Sequence, residues 1–112
     1  MKNVAFVLLL GIFCFSQANA QSTKEKVVIK TSAVCESCKN TIEKAVYQVD
    51  GVRSVYLDVE TQMATVRFDG TVTHVDAIRK AISQAGYDAD ELPADKNAYD
   101  NLTTCCKKDA VH

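Results

Sequence analysis

From Lys26 onward, apolar and polar positions alternate with a period of two in some stretches and of about 3.6 in others, and the two periods succeed one another along the chain. Val27 and Ile29, with Val28 between them and Lys30 beyond, predict a first strand ending near Thr31-Ser32. Cys38, Ile42, Ala45, Val46 and Val49 then fall on one helical face, with Lys39, Asn40, Glu43, Lys44 and Gln48 opposite. Asp50-Gly51 ends that helix, since Gly suits the left-handed position past a helix C-terminus. Val55, Leu57 and Val59 alternate against Ser54, Tyr56 and Asp58 as a second strand. After a turn at Glu60-Thr61-Gln62, Ala64, Val66 and Phe68 alternate with Thr65 and Arg67, which predicts an antiparallel hairpin. Thr73, with Asp76 three residues on, reads as the cap of a second helix carrying Val75, Ile78, Ala81, Ile82 and Ala85 on its apolar side. Gly86 closes it, and Tyr87-Asp88-Ala89-Asp90 is expected to be a short edge strand.

This order, strand-helix-strand twice over, defines an α+β fold of the ferredoxin-like βαββαβ kind. The expected architecture is a four-stranded antiparallel sheet with both helices on one face. Residues 26–91 hold that domain and residues 21–25 are a polar, flexible N-terminus. From Leu92 the periodicity fades. Pro93-Ala94-Asp95 opens a short helical stretch with Ala98, Tyr99 and Leu102 on one side, and residues 92–112 read as an appended C-terminal tail whose removal leaves the domain folded.

Ahead of the domain, Met1-Lys2-Asn3, the apolar run Val4 to Phe15 and the Ala18-Asn19-Ala20 end have the three parts of a secretory signal peptide. The run is short of the ~20 apolar residues of a membrane span, so residues 1–20 are expected to be cleaved near Ala20. The product would be periplasmic or secreted, with no membrane span in the mature chain. Loss of this segment removes one Lys and no acid, leaving 12 basic residues against 14 acidic ones and a net charge of −2. That balance gives no basis for nucleic-acid binding.

Candidate chemistry resides in the cysteines. Cys35 and Cys38 sit at the junction of the first strand and the first helix, where two intervening residues let both sulfurs face one point. Unpaired N–H groups and the positive dipole end at a helix start favour thiolate over thiol. Two thiolates suit Cu(I) or Hg(II) at low coordination, whereas structural zinc wants four ligands. The same spacing serves a disulfide or a thiol-disulfide redox pair. Against redox catalysis, Glu36-Ser37 is not a Gly-Pro type of spacer, no Trp precedes the pair, and Pro93 lies outside the core. No nucleophile-base-orienter set for hydrolysis is present either. A third reading, a protein-binding domain with merely structural cysteines, also fits the pattern. Cys105, Cys106 and His112 form an auxiliary set of soft and borderline ligands beside Lys107-Lys108, whose charge would lower thiol pKa values. Alternatively they belong to a disordered tail whose thiols oxidise. His74, at the start of the second helix, reads as a surface histidine.

The Cys35-X-X-Cys38 loop, Gly51-Val52 before the second strand and Ala85-Gly86-Tyr87 after the second helix together resemble the heavy-metal-associated domain family. That family includes copper chaperones, domains of metal-pumping ATPases and a periplasmic mercury-binding protein. The resemblance runs from about Lys26 to Asp90. Family members read Gly-Met-X-Cys-X-X-Cys, with the Met packed beneath the metal loop, whereas Ala33 stands at the Met position here. The resemblance implies a non-enzymatic protein that binds a soft ion through Cys35 and Cys38, Cu(I) first and Hg(II) next, with Zn(II) disfavoured. It also places Tyr87 near the metal loop, where the alternative is simple core packing. The implied partners are the ion itself and a membrane metal transporter or another metal-binding protein.

Overall fold

The structure, a computed structural model, describes residues 23–108; the expected leader, residues 1–20, and His112 lie outside them. Strands β1 (Lys24–Lys30), β2 (Val52–Asp58) and β3 (Met63–Asp69) form an antiparallel sheet in the order β1-β3-β2. Helix α1 (Glu36–Tyr47) follows β1, and α2 (Val75–Gln84) follows β3. The period-two positions meet as expected: Val27 pairs with Val66, Ile29 with Ala64, Val55 with Val66 and Leu57 with Ala64. These side chains line one face and join Phe68 in the core. The helices cover that face with Cys38, Ile42 and Val46 of α1 and Ile78 and Ile82 of α2. Each such aliphatic side chain contributes about 1.5–3 kcal/mol on burial. The hairpin closes at Gln62, whose N–H donates to the Asp58 carbonyl at 2.7 Å.

The expected fourth strand does not form. Among the described residues the sheet has three strands, and residues 87–90 contribute one isolated bridge, Ala89 to Thr31. The reason lies at Asp90. Its N–H donates to the Lys30 carbonyl at 2.8 Å, but its carboxylate, instead of the next backbone carbonyl, accepts the Lys30 N–H at 2.9 Å. Asp90 also adopts φ +54 and turns the chain away, so that Ala89 pairs onward with Leu92. Arg79 anchors the same carboxylate at 2.9 Å. The α2 cap likewise falls on exposed His74, while Thr73 is buried and makes no side-chain cap bond to the helix.

Residues beyond Leu92 pack back on the domain. Ser83 Oγ donates to the Pro93 carbonyl at 2.8 Å, and the Asp95 N–H donates to the Ser83 carbonyl at 2.9 Å. Asp95 then caps a short helix, α3 (Lys96–Asp100), by accepting the Ala98 N–H. Ala98, Tyr99 and Leu102 are half-buried, as their spacing predicted. The approach is possible because Gly86 has no side chain: a Cβ there would stand 3.1 Å from the Ala98 carbonyl oxygen, and φ is +104.

Gly86→Ala combines left-handed strain of about 1–2 kcal/mol with crowding against α3. Thermal unfolding of the reduced variant should show a midpoint lower by about 5–10 °C for a domain of this size. An unchanged midpoint would mean that α3 yields freely and is not held at Gly86.

Candidate metal centre

Thr31-Ser32-Ala33-Val34 carries the chain from β1 to α1 and is fixed by hydrogen bonds at each step. Thr31 Oγ1 accepts the Ala33 N–H, Gln62 Nε2 donates to the Ala33 carbonyl at 2.7 Å, and Ser32 Oγ accepts the Asp88 N–H at 2.9 Å. Ala33, where the family pattern has Met, is fully buried. The backbone bonds to Gln62 and the contact with Asp88 supply the restraint on this loop. Cys35 is the N-cap residue of α1 with extended backbone, and Cys38 falls one turn in, on the core face.

The four described cysteines are free thiols, and all lie at one end of the fold. Cys35 Sγ is 3.2 Å from Cys38 Sγ and 3.7 Å from Cys106 Sγ, and Cys105 Sγ is 4.0 Å from Cys106 Sγ. The sulfurs of Cys35, Cys105 and Cys106 all fall within 4.8 Å of one another. A three-residue 3-10 turn, Thr104–Cys106, presents the tail pair. Cys38 is 0% and Cys106 4% exposed, Cys35 is half-buried, and Cys105 faces solvent. The tail cysteines therefore fold back on the Cys35 loop; His112 lies outside the described residues.

Two expectations about acidity are corrected. At Cys35 the helix start is outweighed: burial, then the side-chain hydrogen bond with Cys38, raises its pKa, although the Cys38 backbone N–H pulls it down. Cys106 is the acidified thiol, lowered to about 6. Burial opposes that shift and is outweighed by hydrogen bonds with Thr103, Cys38, Ser37 and Cys35. Lysine charge is not the cause. Lys108 Nζ is engaged by Asp88 at 2.8 Å, and Lys107 Nζ sits 5.8 Å from the centre of the Tyr99 ring.

Tyr87, expected near the metal loop, is 1% exposed, and its hydroxyl has no hydrogen-bond partner of acceptable geometry. Burial, followed by interaction with Cys38, raises its pKa, so it remains a neutral O–H donor beside the sulfurs. Exposed His74 takes no part. Sequence patterns gave no signal for Gln62, Ser83, Asp88 or Thr103, because each acts through side-chain hydrogen bonds that leave no periodic mark.

A small sheet covered on one face by two helices, with soft ligands where the first strand meets the first helix, is the frame of a metal-binding α+β domain. The sequence matches the heavy-metal-associated domain over residues 28–88, and the chain belongs to that family. It is 33% identical over 88 residues to the mercuric transport protein periplasmic component of Shewanella putrefaciens, spanning 78% of this chain and 93% of that protein. It is also 40% identical over 55 residues to the copper-exporting P-type ATPase of Staphylococcus saprophyticus, covering 49% of this chain but only 7% of the ATPase. Among solved structures, oxidized MerP from Ralstonia metallidurans CH34 superposes with a TM-score of 0.58 at 34% identity, over 60% of this chain and 94% of that one. The CopZ metallochaperone gives 0.56 at 27% identity, over 58% and 98%.

Asp88 ties the tail to the site through Lys108 and through the Ala94 N–H at 2.9 Å. Desolvation pushes its pKa up, but these two partners outweigh that and hold it below the carboxylate norm. A lowered folded-state pKa stabilises fully above the unfolded value of about 3.9 and loses that contribution as pH falls through the folded value. Tail docking should therefore be independent of pH near neutrality, where the Asp88 contribution is fully present, and weaken below about pH 4. At pH 7, Asp88→Asn removes the ion pair, and amides of residues 94–106 should exchange with solvent faster than in the wild type. Unchanged protection would show that the tail is held without Asp88.

Proposed function

We propose that this protein is an extracytoplasmic carrier of a soft metal ion, which it binds through Cys35 and Cys38 and passes on by ligand exchange. The observation that carries the reading is the pair of free sulfurs 3.2 Å apart, one locked in the core and one half-buried at the helix start. Thiolate-only donors select Cu(I) and Hg(II) over Zn(II), whose structural sites are closed by four ligands. The relatives named for mercuric transport and copper export agree with that choice of ions. The leader-like residues 1–20 and the relative named as a periplasmic component support export to the periplasm or beyond. No described helix is long and apolar enough to cross a membrane.

Transfer proceeds through an associative exchange. A thiol on a membrane metal transporter or another metal-binding protein attacks the bound ion from the solvent side, where Cys35 is reached first. A three-coordinate intermediate forms, and one original sulfur leaves. No acid-base or nucleophilic catalysis is required, which is why we assign no enzymatic activity. The rival reading, thiol-disulfide exchange by the same pair, requires an attacking thiolate, and the raised pKa of Cys35 works against it.

Native mass spectrometry of the reduced chain from Gln21 onward, titrated with Cu(I), Hg(II) and Zn(II), tests this. The wild type should take up Cu(I) or Hg(II) and keep it in excess Zn(II), and Cys35→Ser/Cys38→Ser should not. Equal retention of zinc would refute the ion preference, and insulin reduction at a rate near that of thioredoxin-like proteins would replace transfer by redox exchange.

A further inference from the structure

We infer that the tail builds a second metal position over the first: Cys35, Cys105 and Cys106 form a three-thiolate cradle that retains a soft cation, and Cys35 is shared with the Cys35–Cys38 transfer pair. The inference deepens the proposed function and rests on it.

Sulfur spacing separates the two positions. With metal–sulfur bonds of about 2.3 Å, a linear pair of sulfurs stands about 4.6 Å apart and a trigonal set about 4.0 Å on each edge. The Cys35–Cys38 separation of 3.2 Å is shorter than both, so that pair must open before an ion fits between its sulfurs. The Cys35–Cys106 and Cys105–Cys106 separations, 3.7 and 4.0 Å, already match a trigonal edge, and all three sulfurs lie within 4.8 Å of one another. Cys38 Sγ is not among the three sulfurs that share this spacing; it meets the tail at Cys106, 3.8 Å from its carbonyl oxygen and beside its thiol. A closed four-sulfur zinc site needs every edge at about 3.8 Å, and the Cys35–Cys38 edge is 3.2 Å.

A second observation points the same way. Tyr87 Oη is buried with no nitrogen or oxygen partner, and the groups it reaches are the sulfurs of Cys38 and Cys106. Buried hydroxyls are ordinarily satisfied. A metal-bound thiolate keeps lone pairs that accept such a donor, and second-shell donors of this kind orient ligands and disperse their charge. Three thiolates carry one more negative charge than Hg(II) neutralises and two more than Cu(I) does, so a neutral O–H facing them is favourable.

The exposure of the sulfurs gives the pathway a direction. Cys105 faces solvent, Cys35 is half-buried, Cys106 is buried, and Cys38 is innermost. An ion entering at Cys105 passes to Cys106 and Cys35 and exchanges with Cys38 by moving about Cys35, which stays bound. At each step one sulfur–metal bond forms and one breaks. The incoming thiol releases its proton to water, the departing thiolate takes one up, and the ion keeps its oxidation state.

The test uses reduced chain from Gln21 onward, which contains every described element, loaded with one equivalent of Hg(II). X-ray absorption counts the sulfur ligands, and transfer to a competing dithiol measures retention. The wild type should show three sulfurs, and Cys38→Ser should still show three. Cys105→Ser/Cys106→Ser should show two and release the ion at least about tenfold faster, since the tail thiols act at high effective concentration. Cys105→Ser alone changes an exposed side chain, leaves the buried tail contacts intact, and should also drop to two, so misfolding of the double variant cannot rescue the idea. Two-sulfur coordination in the wild type, unchanged by the tail substitutions, would overturn the cradle while leaving the transfer pair standing. No Hg(II) uptake by the wild type would overturn both.

Discussion

Packing of the α1 face onto the sheet is the constraint that positions everything else at the thiol end. Cys38 belongs to the same buried stripe as Ile42 and Val46, so its sulfur is placed by core packing that resists displacement. Cys35 precedes the helix on a loop held by hydrogen bonds and by the buried Ala33, and keeps partial exposure. One sulfur is therefore rigid and one adjustable. A chelating pair with that asymmetry grips an ion without enclosing it, which suits exchange with a partner better than two rigid ligands would.

The polar network around this end is built to hold segments together, not to charge the site. Asp90 joins β1, α2 and the start of the tail through Lys30 and Arg79. Asp88 joins the Cys35 loop to the tail through Ser32, Ala94 and Lys108. The acids lie two residues apart and point to different neighbours, so residues 87–90 work as a bracket where a regular strand would have paired its backbone instead. The departure from the expected fourth strand is what brings the tail within reach of the thiols.

Legibility in the sequence follows periodicity. The two helices, the hairpin and the core positions Ile29, Leu57, Val66, Ile78 and Ile82 were readable because burial on a repeating element leaves a repeating mark. The Cys35–Cys38 pair was readable because its spacing and position at a helix start have a chemical meaning. The missing fourth strand was not, since a carboxylate standing in for a backbone acceptor leaves no pattern in a four-residue stretch. Nor was the α2 cap, where burial of Thr73 overrode its capping preference. The docking of residues 93–106 depends on Ser83, Gly86 and Asp88, single residues in other segments, and the pKa order of the thiols depends on contacts made only after that docking.

The strength of the tail's attachment then decides how the two proposed metal positions would communicate. Helix α3 has five residues, too few to be stable alone, and its anchors are a few side-chain bonds, the half-buried Leu102 and the buried Cys106. Such a segment opens locally at a lower free energy than the whole domain. Metal held in the proposed cradle would gain sulfur ligands that exist only when the tail is closed, so loading and closure would be coupled by linkage. A partner offering its own thiols would compete with Cys105 and Cys106 for the same coordination positions and need to displace only the marginal segment. The core that holds Cys38 would stay folded throughout, and Cys35 would remain attached to the ion until the partner's sulfurs had replaced the tail.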